Sequence, residues 1–157
     1  EEVCGRGVEF YREASGGRTF KDDMNEIFEI LKDATLIAHN LQFDENFIST
    51  EFWRQNILFK PHGRFCSMNY FRDVCNLVGK NGRIKNPKLS ELIDFFNIDN
   101  EKVKLYCNQI FKSVDSNAFH DARYDTTALF IAFQVYSDKL NNTDAWTKVF
   151  VKNSIGG

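Results

Sequence analysis

The stretch LIAHNLQFDENFI, residues 36–48, constrains the fold more than any other part of the chain. Leu36, Ile37 and Ala38 close an apolar run from Ala34 that reads as a buried strand, and the run stops at His39 and Asn40. A helical pattern follows over about 43–55, with Asp44 in its first turn and Phe47, Ile48 and Phe52 facing inward. In an open α/β sheet, ligands bind beyond the carboxyl ends of the strands. Three groups suited to water, protons or metals at such an end mark a candidate site.

The remaining chain supplies mostly helices. Thr19 caps a helix whose first turn carries Asp22 and Asp23 and whose apolar stripe is Met24, Ile27, Phe28 and Leu31. Residues 1–18 are irregular, with one short strand at 7–11. Pro61-His62-Gly63 turns the chain into RFCSM, a short strand, and helices follow over about 70–78, 89–96, 101–111 and 122–136. In the last, Leu129, Ala132, Phe133 and Tyr136 share a face. The segment KVFVKN near the carboxyl end fits a strand or a helix.

A length of 157 residues suits a single domain with a real core. A net charge of −2 gives no global attraction to nucleic acid, so any such contact must be local. The basic loop GKNGRIKNPK, with Lys80, Arg83, Lys85 and Lys88, is the local candidate. Cys4, Cys66, Cys75 and Cys107 have neither zinc-ligand spacing nor a C-x-x-C pair, which fits reduced thiols in an intracellular, cytoplasmic setting. No apolar run reaches membrane length, and no membrane partner is expected.

A second polar cluster, FHDARYDTTALF, spans 119–130, with His120 in a loop and Asp125 in the helix after it. His39-Asn40-Leu41-Gln42-Phe43-Asp44 resembles the H-N-x-x-F-D second motif of the DnaQ-like DEDDh 3′–5′ exonucleases. His120-Asp121-Ala122-Arg123-Tyr124-Asp125 resembles their H-x-A-x-x-D third motif. FCSM and NPKLSEL resemble two supporting segments, and the likeness runs over about 19–136.

The resemblance implies a ribonuclease H-like α/β fold, a mixed sheet flanked by helices. It implies hydrolysis of phosphodiesters at the 3′ end of DNA or RNA, with a single-stranded end as partner and Mg²⁺ or Mn²⁺ as cofactor. Carboxylates suit such hard cations, and two ions can stabilise the attacking and leaving oxygens. Asp44 and Asp125 would be metal ligands and His120 the proton acceptor. Asn40 would orient backbone or substrate, and Lys80, Arg83, Lys85 and Lys88 would meet phosphates. His39 reads as a buttress of the strand end, Phe43 as core and Asp121 as a solvent-facing residue. Each has an ordinary reading alone, since a first-turn Asp usually just complements the helix dipole. The two motifs in order carry the assignment.

The family's first motif, D-x-E on a central strand, is absent. Asp99-Asn100-Glu101 has the form but sits in the wrong place, and Glu13 lies too close to Asp44 to lead the missing strand. The sheet is therefore expected to be depleted at the edge of strand 34–38, where 7–11, KVFVKN or a second chain would fill the gap. Either these residues are a piece of the domain, or the chain is a catalytically inactive relative that binds nucleic acid or a protein.

Overall fold

The computed structural model describes residues 7–112 and 121–140. The chain divides into two compact units, one holding most of residues up to Phe65 and the other holding Ala38–Asn40 and the chain from Cys66 onward.

The first unit is a small α/β assembly. It contains α1 (Val8–Ala14), α2 (Phe20–Leu31), most of β1 (Thr35–Ala38), α3 (Leu41–Arg54) and most of β2 (Gly63–Cys66). β1 and β2 form a two-stranded parallel sheet. The Gly63 amide donates to the Ala34 carbonyl at 3.4 Å as the strands meet. A Cβ on Gly63 would come within 3.2 Å of the Thr35 Cβ, so only glycine lets the strands approach this closely. Among the described residues no third strand joins the sheet, and Ile37 is left 40% exposed.

α2 begins as its sequence dictates. The Asp22 carboxylate accepts from both the Thr19 amide, at 2.7 Å, and its hydroxyl, at 2.8 Å, which holds the Asp22 carboxyl below its ordinary pKa. Met24, Ile27, Phe28 and Leu31 form its half-buried stripe. The core is aromatic. Phe52 is fully buried, edge-on to Phe20 and Phe28 and stacked on Phe59 at 4.9 Å.

The second unit is helical: α4 (Ser67–Cys75), α5 (Leu89–Phe95), α6 (Asn100–Phe111) and α7 (Ala122–Lys139). α7 packs against α5 and α6, and α5 against α4. Along 18 residues α7 buries Tyr124, Ala128, Leu129, Ile131, Ala132 and Phe133, the face that its apolar spacing predicts. Buried Thr127 is accommodated because its hydroxyl donates to the Arg123 carbonyl at 2.8 Å. Phe71 meets Phe96, Phe133 and Tyr136 at ring separations of 5.1–5.5 Å.

Several expectations change. Residues 7–11 are not a strand: Val8–Ala14 is helix α1, so this segment cannot complete the sheet. Its sequence alternates too little for a pleat, and Arg12 sits one turn from Glu9 with an ion pair at 2.8 Å. Phe43 and Phe47 are 65% and 61% exposed rather than core, because α3 turns Leu41 and Phe52 inward instead. Cys66, Cys75 and Cys107 form no disulfide with one another, and the last two are buried; Cys4 lies outside the described residues, as does KVFVKN. Among the described residues no helix is long and apolar enough to cross a membrane.

Candidate functional site

The carboxyl end of β1 is built around His39. Its Nε2 lies 2.9 Å from the Pro87 carbonyl, which can only accept, so Nε2 carries a proton. Its Nδ1 lies 3.0 Å from the Ser67 hydroxyl. Burial pushes the imidazole below its usual pKa, and the Pro87 contact opposes this only in part. In the neutral ring, Nδ1 accepts the Ser67 proton. Ser67 also reaches the Ala38 carbonyl at 3.2 Å, and its single proton serves one acceptor at a time. Three segments meet at one ring: the end of β1, the start of α4 and the segment entering α5. This is the buttress the sequence suggests. Ser67 and Pro87 are partners that sequence reading does not single out by residue, although FCSM and NPKLSEL contain them.

Asn40 follows in the left-handed region at φ 76°, exposed, in the turn between β1 and α3. Asparagine tolerates that conformation better than most residues, which gives Asn40 a backbone role whatever its side chain meets.

Asp44 occupies the first turn of α3, half-buried, and burial raises its carboxyl above the usual range. Among the described residues no cation pairs with it. Its neighbour Glu45 differs: Arg64 of β2 grips it with Nε at 2.8 Å from both oxygens and Nη2 at 2.6 Å from one. That fork ties α3 to β2 beside Asp44.

Asp125 lies in the first turn of α7, half-buried. Asp121 is not a free surface residue. It caps α7, accepting from the Arg123 amide at 3.0 Å and from its guanidinium at 3.0 and 2.7 Å, which lowers its carboxyl pKa. His120 lies outside the described residues. Asp99 likewise caps α6 through the Glu101 amide at 3.0 Å, and Glu101 pairs with Lys104, so the misplaced D-x-E has a local structural role.

The basic loop is a tight hairpin bridged at Val78 and Ile84. The Gly79 amide donates to the Arg83 carbonyl at 2.8 Å, and the Lys85 amide to the Leu77 carbonyl at 2.9 Å. Lys80 and Arg83 are exposed, and no carboxylate pairs with them among the described residues. Lys85 is instead held by Glu91, and Lys88 stands at the N-cap of α5 with its amide donating to Glu91 at 2.8 Å. Of the four expected phosphate contacts, only Lys85 has its ammonium held by a carboxylate; the side chains of Lys80, Arg83 and Lys88 are exposed and make no ion pair among the described residues.

A divalent ion such as Mg²⁺ needs several oxygen donors in fixed geometry. Among the described residues no three His, Cys, Asp or Glu side chains gather as such a site requires. The described residues alone do not make a divalent-ion site.

With this geometry in place, one comparison is informative. Over 53 residues, 34% of the chain, the sequence is 36% identical to the 3′–5′ exonuclease DinG of Staphylococcus epidermidis. The matched stretch spans only 6% of that protein's length. No family model matches the chain, and no solved structure matches it significantly. The similarity supports a nuclease-related stretch and nothing finer.

Proposed function

We propose that the chain is a ribonuclease H-like domain of the DEDDh 3′–5′ exonuclease type, acting on the 3′ end of single-stranded DNA or RNA. The observation that carries this reading is Asp44. A half-buried carboxylate with a raised pKa and no cation beside it, one turn past the carboxyl end of a parallel strand, is costly unless a ligand uses it. The partial likeness to an exonuclease supports the same conclusion.

In this reading Asp44 and Asp125 contribute to binding Mg²⁺ or Mn²⁺, whose positive charge would offset the anionic phosphate. The remaining donors come from outside the described residues. His120 takes a proton from the attacking water, and Asn40, Lys80, Arg83 and Lys88 hold the strand. His39 keeps the strand end in shape without touching substrate. The 157 residues form one domain, and a second chain is a candidate to cover the open edge of β1.

The test is release of mononucleotides from a 3′-labelled single strand, using the full natural polypeptide that contains these residues. Release should need Mg²⁺ or Mn²⁺, stop with a chelator and fall by orders of magnitude in Asp44→Asn and Asp125→Asn. Undiminished release by both variants would overturn the assignment.

The second reading is an inactive exonuclease-like module that binds a strand or a protein. Among the described residues no three His, Cys, Asp or Glu side chains gather as a metal site requires, which favours it. Binding of the strand without shortening would make it the better account.

A further inference from the structure

An open groove of about 360 Å³ lies along the hairpin and α5, lined by Leu77, Val78, Lys85, Glu91, Asp94 and Phe95. Its volume falls at the small end of ligand sites, roughly 300–1,000 Å³. Val78 is 65% exposed and Phe95 partly so, which leaves two apolar side chains on a wet surface. They sit on rigid backbone. Val78 is bridged to Ile84, and the segment after the hairpin is pinned where the Pro87 carbonyl meets His39.

Charge is distributed unevenly. Within the groove Lys85 and Glu91 neutralise each other, and Asp94 has no partner among the described residues. At the hairpin tip Lys80 and Arg83 are exposed and unpaired among the described residues. A run of phosphates cannot pass over Asp94 favourably, but phosphates can rest on Lys80 and Arg83. The groove itself suits something flat and uncharged, with apolar faces and an N–H edge for Asp94. A nucleobase has these properties, and a carboxylate accepts well from an exocyclic amine.

We propose that this groove holds one amine-bearing base of a single-stranded nucleic acid against Val78 and Phe95, with adjacent phosphates on Lys80 and Arg83. The inference deepens the nuclease reading by naming where the strand is gripped, and it rests on nucleic acid being the partner.

The test is fluorescence anisotropy of labelled single strands with the full chain, in chelator so that no cleavage occurs. Oligo-dC, oligo-dT and an abasic strand of equal length are compared over a salt series. The wild type should favour dC over dT, and both over the abasic strand. Phe95→Ala should weaken binding of base-bearing strands by roughly 5- to 150-fold, the worth of one stacked base, and leave the abasic strand unchanged. Val78→Asn, at a more exposed position, provides the same test should Phe95→Ala fail to fold. Asp94→Ala should erase the preference for dC. Lys80→Gln and Arg83→Gln should weaken all three strands alike, each lowering the salt slope by about 0.7.

Equal binding of abasic and base-bearing strands, groove variants that bind dC normally, or no binding by the wild type would overturn the proposal. The nuclease reading is judged separately. Metal-dependent shortening with unaffected groove variants would remove the groove and leave the exonuclease. Base-selective binding with no shortening would do the reverse.

Discussion

The strand-bearing unit and the helical unit are built to different standards. Among its described residues the first buries Leu36, Leu41, Phe52, Phe59, Pro61 and Phe65. Its helix α2 buries none completely, while Phe43, Phe47, Trp53 and Leu58 stand exposed. In the second, α7 alone buries eight residues, and Phe71 is enclosed by Phe96 at the end of α5 and by Phe133 and Tyr136 of α7. A parallel sheet is stable when both faces are covered and its edges are protected, and two strands with an exposed Ile37 fall short of that. The helical unit encloses its core more fully than the strand unit, which carries Asp44.

The largest effect should come from emptying the two aromatic cores. Phe71→Ala and Phe52→Ala each remove a fully buried ring and should cost about 3–5 kcal/mol. The contrast lies in what unfolds. By native-state hydrogen exchange, Phe52→Ala should release the amides of α2, β1 and α3 while those of α7 stay protected. Equal release throughout would show one cooperative body and break the comparison.

His39→Ala comes next, at about 2–3 kcal/mol, since it leaves the Pro87 carbonyl and the Ser67 hydroxyl without their shared partner. pH sharpens the prediction. The folded-state pKa of His39 lies below its ordinary value of 6.5, so the unfolded chain binds the proton first as pH falls. Wild-type stability should be intact above pH 6.5 and decline below it, towards the depressed folded-state value. Urea titrations should find that decline weakened in His39→Gln. An identical decline in the variant would mean that other groups cause it.

Gly63→Ala should follow at about 1–3 kcal/mol, because the new methyl drives into Thr35 and pushes β1 from β2. Thr35→Ala in the same chain should recover part of the loss by thermal melting. No recovery would place the strain elsewhere.

Much of this was legible in the sequence where local chemistry decides. The Thr19 cap, the apolar face of α7 and the strand ending at His39 follow from spacing and residue type. Phe43 and Phe47 misled because apolar residues at helical spacing read as core until packing shows which turn inward: Ile48 and Phe52 do, as expected, together with Leu41, while Phe43 and Phe47 lie off that face. The segment 7–11 misled because a short apolar run has no period to settle helix against strand. Asp121 and Lys85 looked like free charges and are held by Arg123 and Glu91, partners that charge counting alone does not reveal. The groove was illegible because Val78, Asp94 and Phe95 are joined by tertiary packing alone.

The smallest effect on stability should come at Asp44, the residue on which the proposed function rests. With its carboxyl pKa raised in the fold, Asp44 in its charged form is less favourable folded than unfolded, so stability falls as pH rises through its titration. Asp44→Asn should therefore melt at or above the wild-type temperature at neutral pH. A clear loss of stability would make Asp44 a structural residue.

In the proposed function Asp44 and Asp125 both bind the metal, and paramagnetic broadening by Mn²⁺ is a direct check. Increasing Mn²⁺ is added to isotope-labelled protein, and the amide signals of both residues are followed. Both signals should broaden together at the lowest concentrations, Asp44→Asn should weaken the effect at Asp125, and Mg²⁺ should compete it away. Broadening at one residue and not the other, or coupling lost between them, would contradict it.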